Sequence, residues 1–252
     1  KLENALNYAF AEGNETGAVL IVKNGKLIAE RYSEDRTAND LVTSWSVAKS
    51  FTSALLGAAV DEGYLIGLDQ KLGDFFTEWR DTKKAEITIE QLRTVKTGLE
   101  LLKDDNGDGI PDGDDLYNSE DQVGISLSRS LVGEPGSRNY LYSNSDVMLA
   151  GELVKEATGV SVSDYLNTGL GKKIGFTGEW WVDEQSNVMS YCCLDSTPRS
   201  FARFGLLYAR NGLWIADQVL SEDWVRHSTQ PAKFNEYGYF WWPAGNNGFS
   251  AL

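Results

Sequence analysis

Ser46 and Lys49 stand three residues apart in the stretch WSVAKSFT, which runs directly into the apolar segment SALLGAAV. On a helix, side chains three apart share a face with Cβ atoms about 5–6 Å apart, so a serine in the first turn would touch the lysine. An unassisted serine hydroxyl is a poor nucleophile and needs a base within reach. The amides at a helix N-terminus, with the positive end of its dipole, favour an alkoxide at Ser46. The same field, with burial against an apolar helix, favours the neutral amine that a general base requires at Lys49. No other serine in the chain has a lysine three residues after it. Taken alone, the pair also fits a cap serine followed by a lysine that snorkels to the surface. A lysine in the first turns of a buried helix must, however, find a charge or hydrogen-bond partner.

A second group of chemistry-bearing residues lies in EPGSRNYLYSN, residues 134–144, at a loop-to-helix junction after the Pro135-Gly136 turn. The Tyr142 phenol, near a lysine, can be held as phenolate or can relay a proton between nucleophile and leaving group. The Asn144 amide offers a donor and an acceptor, to the lysine or to a substrate amide. A capped helix with a packed tyrosine is the plainer reading of the same residues.

Residues 104–115 read DDNGDGIPDGDD. The side chains of Asp104, Asn106, Asp108, Asp112 and Asp115, with the Ile110 carbonyl, have the spacing of short oxygen ligands wrapping one cation, and glycine makes the tight turn. The loop is similar to calcium loops of thrombospondin type 3 repeats and dockerins, and lacks the closing bidentate glutamate of an EF-hand. The other reading is a solvated acidic loop, whose carboxylates repel one another without a cation. Bound Ca2+ would be structural, and would favour a periplasmic or secreted location over the cytoplasm, which stays open.

The elements that position these residues come from a chain of 252 residues, 42% hydrophobic and 24% charged, long enough to bury a sizeable core. A formal charge of −14 argues against nucleic acid and against anionic membrane surfaces as partners. No apolar run is long enough to span a bilayer. The only cysteines, Cys192 and Cys193, are adjacent; neighbouring cysteines rarely close a disulfide, since the ring strains the intervening peptide, and the pair says little about redox compartment and cannot form a tetrahedral zinc site alone. The single histidine, His227, falls on the polar helix that starts at the Ser221 cap, so a Ser-His-Asp triad is not expected. The chain starts at Lys1 without a signal-peptide pattern, which suggests a processed or trimmed N-terminus.

Asn24-Gly25 between two β-rich runs predicts a hairpin, with the unalternating run 18–22 a strand covered on both faces. Residues 46–63 predict a central buried helix. Residues 87–95 predict a helix capped by Thr88 with Gln91 completing a capping box. Helices are also expected over 146–158, ending at Gly159, and over 198–211, ending at Gly212. Aromatic β-like runs return at 237–242 and 248–252. Strands at both chain ends with helices between them predict an α+β fold, an α/β sandwich. One antiparallel sheet would be built from both ends (17–60 and 237–252, with the nucleophile helix), and a mainly helical part (61–236) inserted. The apolar close NNGFSAL suggests a chain truncated at its C-terminus.

Taken together, WSVAKSFT and LYSN resemble the motifs of the serine β-lactamase-like family, which includes class C β-lactamases, penicillin-binding DD-peptidases, esterases and 6-aminohexanoate-dimer hydrolases. TGAVLIVKNGKLIAERY is similar to the family's opening hairpin. DEGYLIGLDQKLGDFFTEW, ITIEQLRTVKTGLEL and EPGSRNYLYSNSDVMLAGELVKEATG match the segments that follow. YCCLDSTPRSFARFGLLYARNG and YGYFWW are most similar to the 6-aminohexanoate-dimer hydrolase and esterase branch. The resemblance covers essentially the whole chain. It implies a single catalytic domain of β-lactamase/transpeptidase-like fold over residues 1–252. It further implies a serine hydrolase with acylated Ser46, base partner Lys49, proton relay Tyr142, and Asn144 orienting the lysine and substrate. Small-molecule esters, amides or β-lactams would be the substrates, and catalysis would need no cofactor. The family also uses a strand motif of K-T-G, H-x-G or G-x-Q type for a second oxyanion amide, and no such motif is placed in this sequence. The alternative from another class is a non-catalytic penicillin-binding or sensor-type domain that is acylated without turnover, or an inactive truncated domain. Trp180, Trp181, Trp241 and Trp242 are candidates for an apolar acyl pocket or for core.

Overall fold

The computed structural model describes residues 1–102, 113–137, 142–230, 237–244 and 248–251. After helix α1 (Leu2–Ala9), strands β1 (Ala18–Lys23) and β2 (Lys26–Tyr32) form an antiparallel hairpin. Asn24 and Gly25 take φ values of 52° and 74° at its turn, the two positive values that a two-residue turn needs to match strand twist. Residues 18–22 of β1 are half-buried rather than enclosed. Helix α9 packs on this strand, and the expected double cover is not present among the described residues.

Strand β3 (Val42–Thr43) leads through a 3₁₀ turn, Trp45–Val47, into the central helix α2 (Ala48–Asp61). Its residues from Ala48 to Ala59 are all buried, as a helix apolar on every side must be. Phe51 stacks on Phe204 at 3.7 Å between ring centroids and packs on Phe176 at 4.8 Å. Burying each such side chain contributes about 1.5–3 kcal/mol. The hydroxyls of the helix reach outward: Ser50 Oγ donates to the Phe240 carbonyl at 2.8 Å and Thr52 Oγ1 to the Ser190 carbonyl at 2.6 Å. At Gly57 a Cβ would come within 2.6 Å of the Trp224 ring, so the glycine sets how closely that ring approaches.

Helix α3 (Ile89–Arg93) carries the predicted capping box between Thr88 and Gln91. Helices α4 (Gly113–Tyr117), α5 (Gln122–Ser128), α6 (Asn144–Thr158), α7 (Val162–Thr168) and α8 (Leu170–Ile174) follow. Helix α6 begins two residues before its expected start, with Ser143 as cap, and ends at left-handed Gly159. It packs against α2, α3 and α5. Strand β4 (Glu179–Trp180) and strand β5 (Leu194–Ser196) join β3 in an antiparallel sheet of order β3-β5-β4. Helix α9 (Pro198–Ala209) is capped by Thr197. Two further hairpins, β6 (Leu213–Trp214) with β7 (Asp217–Gln218) and β8 (Trp242–Ala244) with β9 (Gly248–Ser250), flank helix α10 (Glu222–Thr229).

Helices and small antiparallel sheets thus make an α+β fold, as expected. The sheet differs in detail from the expectation: among the described residues the strands near the two chain ends pair within their own hairpins, β1 with β2 and β8 with β9. Of the aromatic run 237–242 only Trp242 lies in a strand. Tyr237, Phe240 and Trp241 are core residues, with Trp241 against Tyr208 at 4.3 Å. Among the described residues no helix is long and apolar enough to cross a membrane.

Candidate active site

Trp45 takes a left-handed φ of 44°, and the 3₁₀ turn it opens presents Ser46 two residues before α2. Lys49 follows in the first turn of α2 and is almost completely buried, at 1% exposure. Its Nζ donates to Ser46 Oγ at 2.9 Å and to the Tyr191 carbonyl at 2.9 Å. It also lies 4.9 Å from the centre of the Tyr142 ring and 5.7 Å from that of Tyr191. Whether charged or neutral, the amine can keep one N–H on the Tyr191 carbonyl. In the neutral state its lone pair is then free to face Ser46.

The Tyr142 hydroxyl donates to Ser46 Oγ at 3.0 Å, so the serine oxygen is shared by the lysine and the tyrosine. Burial pushes the Tyr142 phenol above the usual tyrosine range, and the hydrogen bond with Ser46 opposes this only in part. The neutral phenol is therefore the resting form, and it can give a proton. Trp242 lies nearly parallel to the Tyr142 ring at 6.3 Å, and Tyr237 meets it edge-on at 6.0 Å.

The next residues are held by a buried ion pair. Ser143 caps α6 by accepting from the Asp146 amide at 3.1 Å. The Asp146 carboxylate meets Arg129 at 2.8 Å, the two side chains 3% and 1% exposed. Thr97 Oγ1 donates to the same carboxylate, and Arg129 reaches Ser143 Oγ at 3.4 Å. The segment carrying Tyr142 is thus fixed on its C-terminal side by fully desolvated charges that leave little freedom. Asn144, in the first turn of α6, is 7% exposed, and its Oδ1 is buried without a hydrogen-bond partner. The acceptor that the sequence assigned to lysine or substrate is therefore present and unused.

Cys192 and Cys193 are bonded to each other, although neighbouring cysteines rarely close a disulfide. The strain argument applies to a relaxed extended peptide. Here Cys193 is held at a left-handed φ of 65°, between Tyr191, whose carbonyl anchors Lys49, and β5. The sheet continues past its paired residues. Ser44 N donates to the Leu194 carbonyl at 2.9 Å, Leu194 N to Ser44 Oγ at 3.0 Å, and Trp181 N to the Cys193 carbonyl at 2.9 Å. Trp45 and Trp181 approach to 6.5 Å, both exposed, and Asp195 accepts from Trp181 Nε1 at 2.9 Å. Trp180 and Trp241 are core instead.

The structure therefore brings Ser46, Lys49 and Tyr142 together and sets Asn144 at the start of the adjoining helix. Of the acidic-loop candidates, Asp104, Asn106, Asp108, Ile110 and Asp112 lie outside the described residues, while Asp115 is in α4. His227 is exposed on α10, its Nδ1 against the Asp223 carbonyl of its own helix, as its sequence setting implied. Sequence reasoning missed the Tyr191 carbonyl, because a backbone acceptor has no side-chain signature. It also missed the Arg129–Asp146 pair, for which a lone buried arginine between helices offers no local pattern.

The family model that matches residues 6–249 is that of the β-lactamases, and the chain belongs to this family. A curated relative is the 6-aminohexanoate-dimer hydrolase of Paenarthrobacter ureafaciens, 21% identical over 224 residues, which cover 83% of this chain and 56% of the relative. The chain thus spans little more than half the length of that relative. Among solved structures, a Bacillus anthracis protein with the provisional name 6-aminohexanoate-dimer hydrolase superposes with a TM-score of 0.81 at 21% identity, covering 100% of this chain and 70% of that one. A penicillin-binding protein homologue from Caulobacter crescentus superposes with a TM-score of 0.76 at 16% identity, covering 99% and 83% of the two chains. The fold is that of the β-lactamases and transpeptidases.

Proposed function

We propose that the chain is a serine hydrolase that cleaves carboxylic esters or amides through an acyl-Ser46 intermediate, within a single catalytic domain over residues 1–252. The observation that carries this reading is the shared serine oxygen, within 3.0 Å of both Lys49 Nζ and the Tyr142 hydroxyl. In acylation the neutral Lys49 amine takes the Ser46 proton as Oγ attacks the substrate carbonyl, and the Ser46 amide at the start of the helix receives the developing oxyanion. The Tyr142 phenol protonates the departing alkoxide or amine and is reprotonated from Lys49. In deacylation water enters, loses a proton to the same pair, and displaces Ser46 from the acyl carbon. Asn144 Oδ1 is the acceptor for a substrate N–H or for the lysine.

The carboxylesterase or 6-aminohexanoate-oligomer hydrolase type is the preferred reading. The name of the Paenarthrobacter relative supports it, as does the exposed Trp45, next to Ser46 in the chain, with Trp181 against it. The β-lactamase or DD-peptidase reading is favoured by the likeness to the penicillin-binding fold. A domain that is acylated without turnover is the reading from another class. Intact-mass detection of a Ser46 adduct across p-nitrophenyl esters, linear amides and nitrocefin separates the three. Ester turnover with nitrocefin inert supports the first, and rapid nitrocefin turnover the second. A stoichiometric adduct that never clears supports the third, and no adduct at Ser46 removes the mechanism.

Two further parts belong to this reading. The acidic loop over residues 104–115 binds a structural Ca2+ that stiffens the border of the cleft and takes no part in the chemistry. The protein works in a periplasmic or secreted setting, supported by the Cys192–Cys193 bond, since disulfides persist in oxidising compartments.

A further inference from the structure

The residue that anchors Lys49 through its carbonyl is directly followed by the Cys192–Cys193 disulfide. The segment around them is tied at both ends. On one side the Ser190 carbonyl accepts from Thr52 in α2 at 2.6 Å, and Ser190 Oγ donates to the Val147 carbonyl in α6 at 3.0 Å. On the other, Leu194 exchanges hydrogen bonds with Ser44. Between these ties the chain turns sharply: Cys192 N donates to the Met189 carbonyl at 3.0 Å, and Cys193 sits at φ 65°. Residues with a Cβ enter that region only when their surroundings hold them there. The one covalent constraint within the turn is the bond between the two cysteines, a small ring closed across a single peptide unit.

We propose that the Cys192–Cys193 bond is a positioning element for Lys49: it fixes the turn that presents the Tyr191 carbonyl to Nζ, and opening it with a dithiol reductant slows acylation of Ser46. The proposal rests on the reading of Ser46 and Lys49 as the reacting pair. With the carbonyl in place, one N–H of the amine is occupied and the lone pair faces the serine. With the turn relaxed, the same amine can rotate away, and the loss falls on the rate of proton transfer, not on substrate binding.

The redox step balances with the dithiol as reductant. A thiolate of the dithiol attacks one cysteine sulfur, the S–S bond breaks, and the other sulfur leaves as a thiolate that takes up a proton. The second thiol of the reductant then displaces the protein sulfur from the mixed disulfide. The dithiol departs as a cyclic disulfide, and both cysteines have gained an electron and a proton.

The test compares oxidised and dithiothreitol-reduced protein, with the redox state read by intact mass and by alkylation after denaturation. The expected result is a fall of about 10- to 100-fold in kcat at nearly constant KM on reduction, the size of effect a small displacement of a catalytic group produces. Two double variants remove the bond permanently. Cys192→Ala with Cys193→Gly and Cys192→Ala with Cys193→Ala both ignore the reductant and acylate as slowly as the reduced wild type, the glycine variant at least as slowly because glycine adds backbone freedom at the turn. Fully reduced wild-type protein that acylates at the oxidised rate overturns the proposal, as does either double variant that does so. Hydrogen exchange over residues 189–194 provides a readout independent of activity. Faster exchange on reduction is expected, and unchanged exchange overturns the proposal even if Ser46 proves unreactive. Absence of a Ser46 adduct in the oxidised protein, by contrast, counts against the hydrolase reading alone.

Discussion

Lys49 and Tyr191 are 142 residues apart in the chain and joined by a hydrogen bond of 2.9 Å. The three-residue step from Ser46 brings the amine to the hydroxyl, but the distant carbonyl fixes which way that amine points. A lysine held only by its own helix would keep the freedom of a long side chain.

Replacing Ser46 with Ala is expected to abolish both the covalent adduct and ester turnover. Lys49→Met keeps the volume and removes the base, and acylation should slow by roughly 10²- to 10⁴-fold. Loss of the hydrogen bond to the Tyr191 carbonyl should also cost about 1–3 kcal/mol of stability. Intact mass after a timed ester pulse measures the first effect and denaturant unfolding the second; a Ser46→Ala protein with undiminished turnover would remove the nucleophile assignment.

Tyr142→Phe should reduce kcat without emptying the site of its ring. The pH behaviour carries a sign. Burial raises the Tyr142 phenol in the folded protein, so above a pH of about 10 the unfolded chain loses this proton first. Folding stability from this group is then complete below that pH and declines as pH climbs toward the folded value. Tyr165 and Tyr208 are raised by burial as well and add to the decline. Melting curves between pH 8 and 11 should fall less steeply for Tyr142→Phe than for the wild type, and parallel curves would contradict the assignment.

Arg129→Met or Asp146→Asn each leaves a buried polar group without its partner and should cost about 3–5 kcal/mol. Replacing both with apolar residues should recover most of that stability. Acylation should stay slow in the double variant, because Ser143, beside Tyr142, has lost its support. Chemical denaturation of the single and double variants, with a burst assay on each, separates packing from positioning.

Two glycines make a matched pair. At Gly151 a Cβ would lie 2.3 Å from Ser190 Oγ, while at Gly205, on the exposed side of α9, nothing lies within 4 Å. Gly151→Ala should destabilise by about 1–3 kcal/mol and disturb the turn that carries Tyr191. Gly205→Ala should stabilise by about 0.5–1 kcal/mol. Thermal unfolding of both variants decides, and equal shifts would mean that α6 does not press on Ser190.

If the acidic loop holds Ca2+, chelation should lower the melting temperature and added Ca2+ should restore it, by mass action on the folded state alone. A melting temperature indifferent to chelator removes the cation.

The helices were the most legible part of the fold because their signals are local. Thr88 with Gln91, Gly159, Thr197 and Ser221 mark ends through contacts a few residues long, and those helix ends fall within two residues of expectation. Strand pairing was less legible. The run at β1 lacks alternation, yet it is only half-covered, because cover depends on what packs there and not on the run itself. In the site, Ser46 and Lys49 could be paired from spacing alone, whereas Tyr142 joined them only through the family resemblance. The disulfide was not legible, because adjacency alone carries no trace of the left-handed turn at Cys193 that accommodates it.

The hydroxyls of α2 have a consequence for the order of events during synthesis. Thr52 must wait for Ser190, 138 residues later, and Ser50 for Phe240, 190 residues later. Contacts this distant in sequence form late, because loop closure comes before their reward. Ser46 is made early, but on a chain that stops short of Tyr191 its lysine has no carbonyl to aim it. A growing polypeptide therefore carries the serine past cellular esters in an unarmed state, and reactivity arrives only as the last quarter of the chain docks.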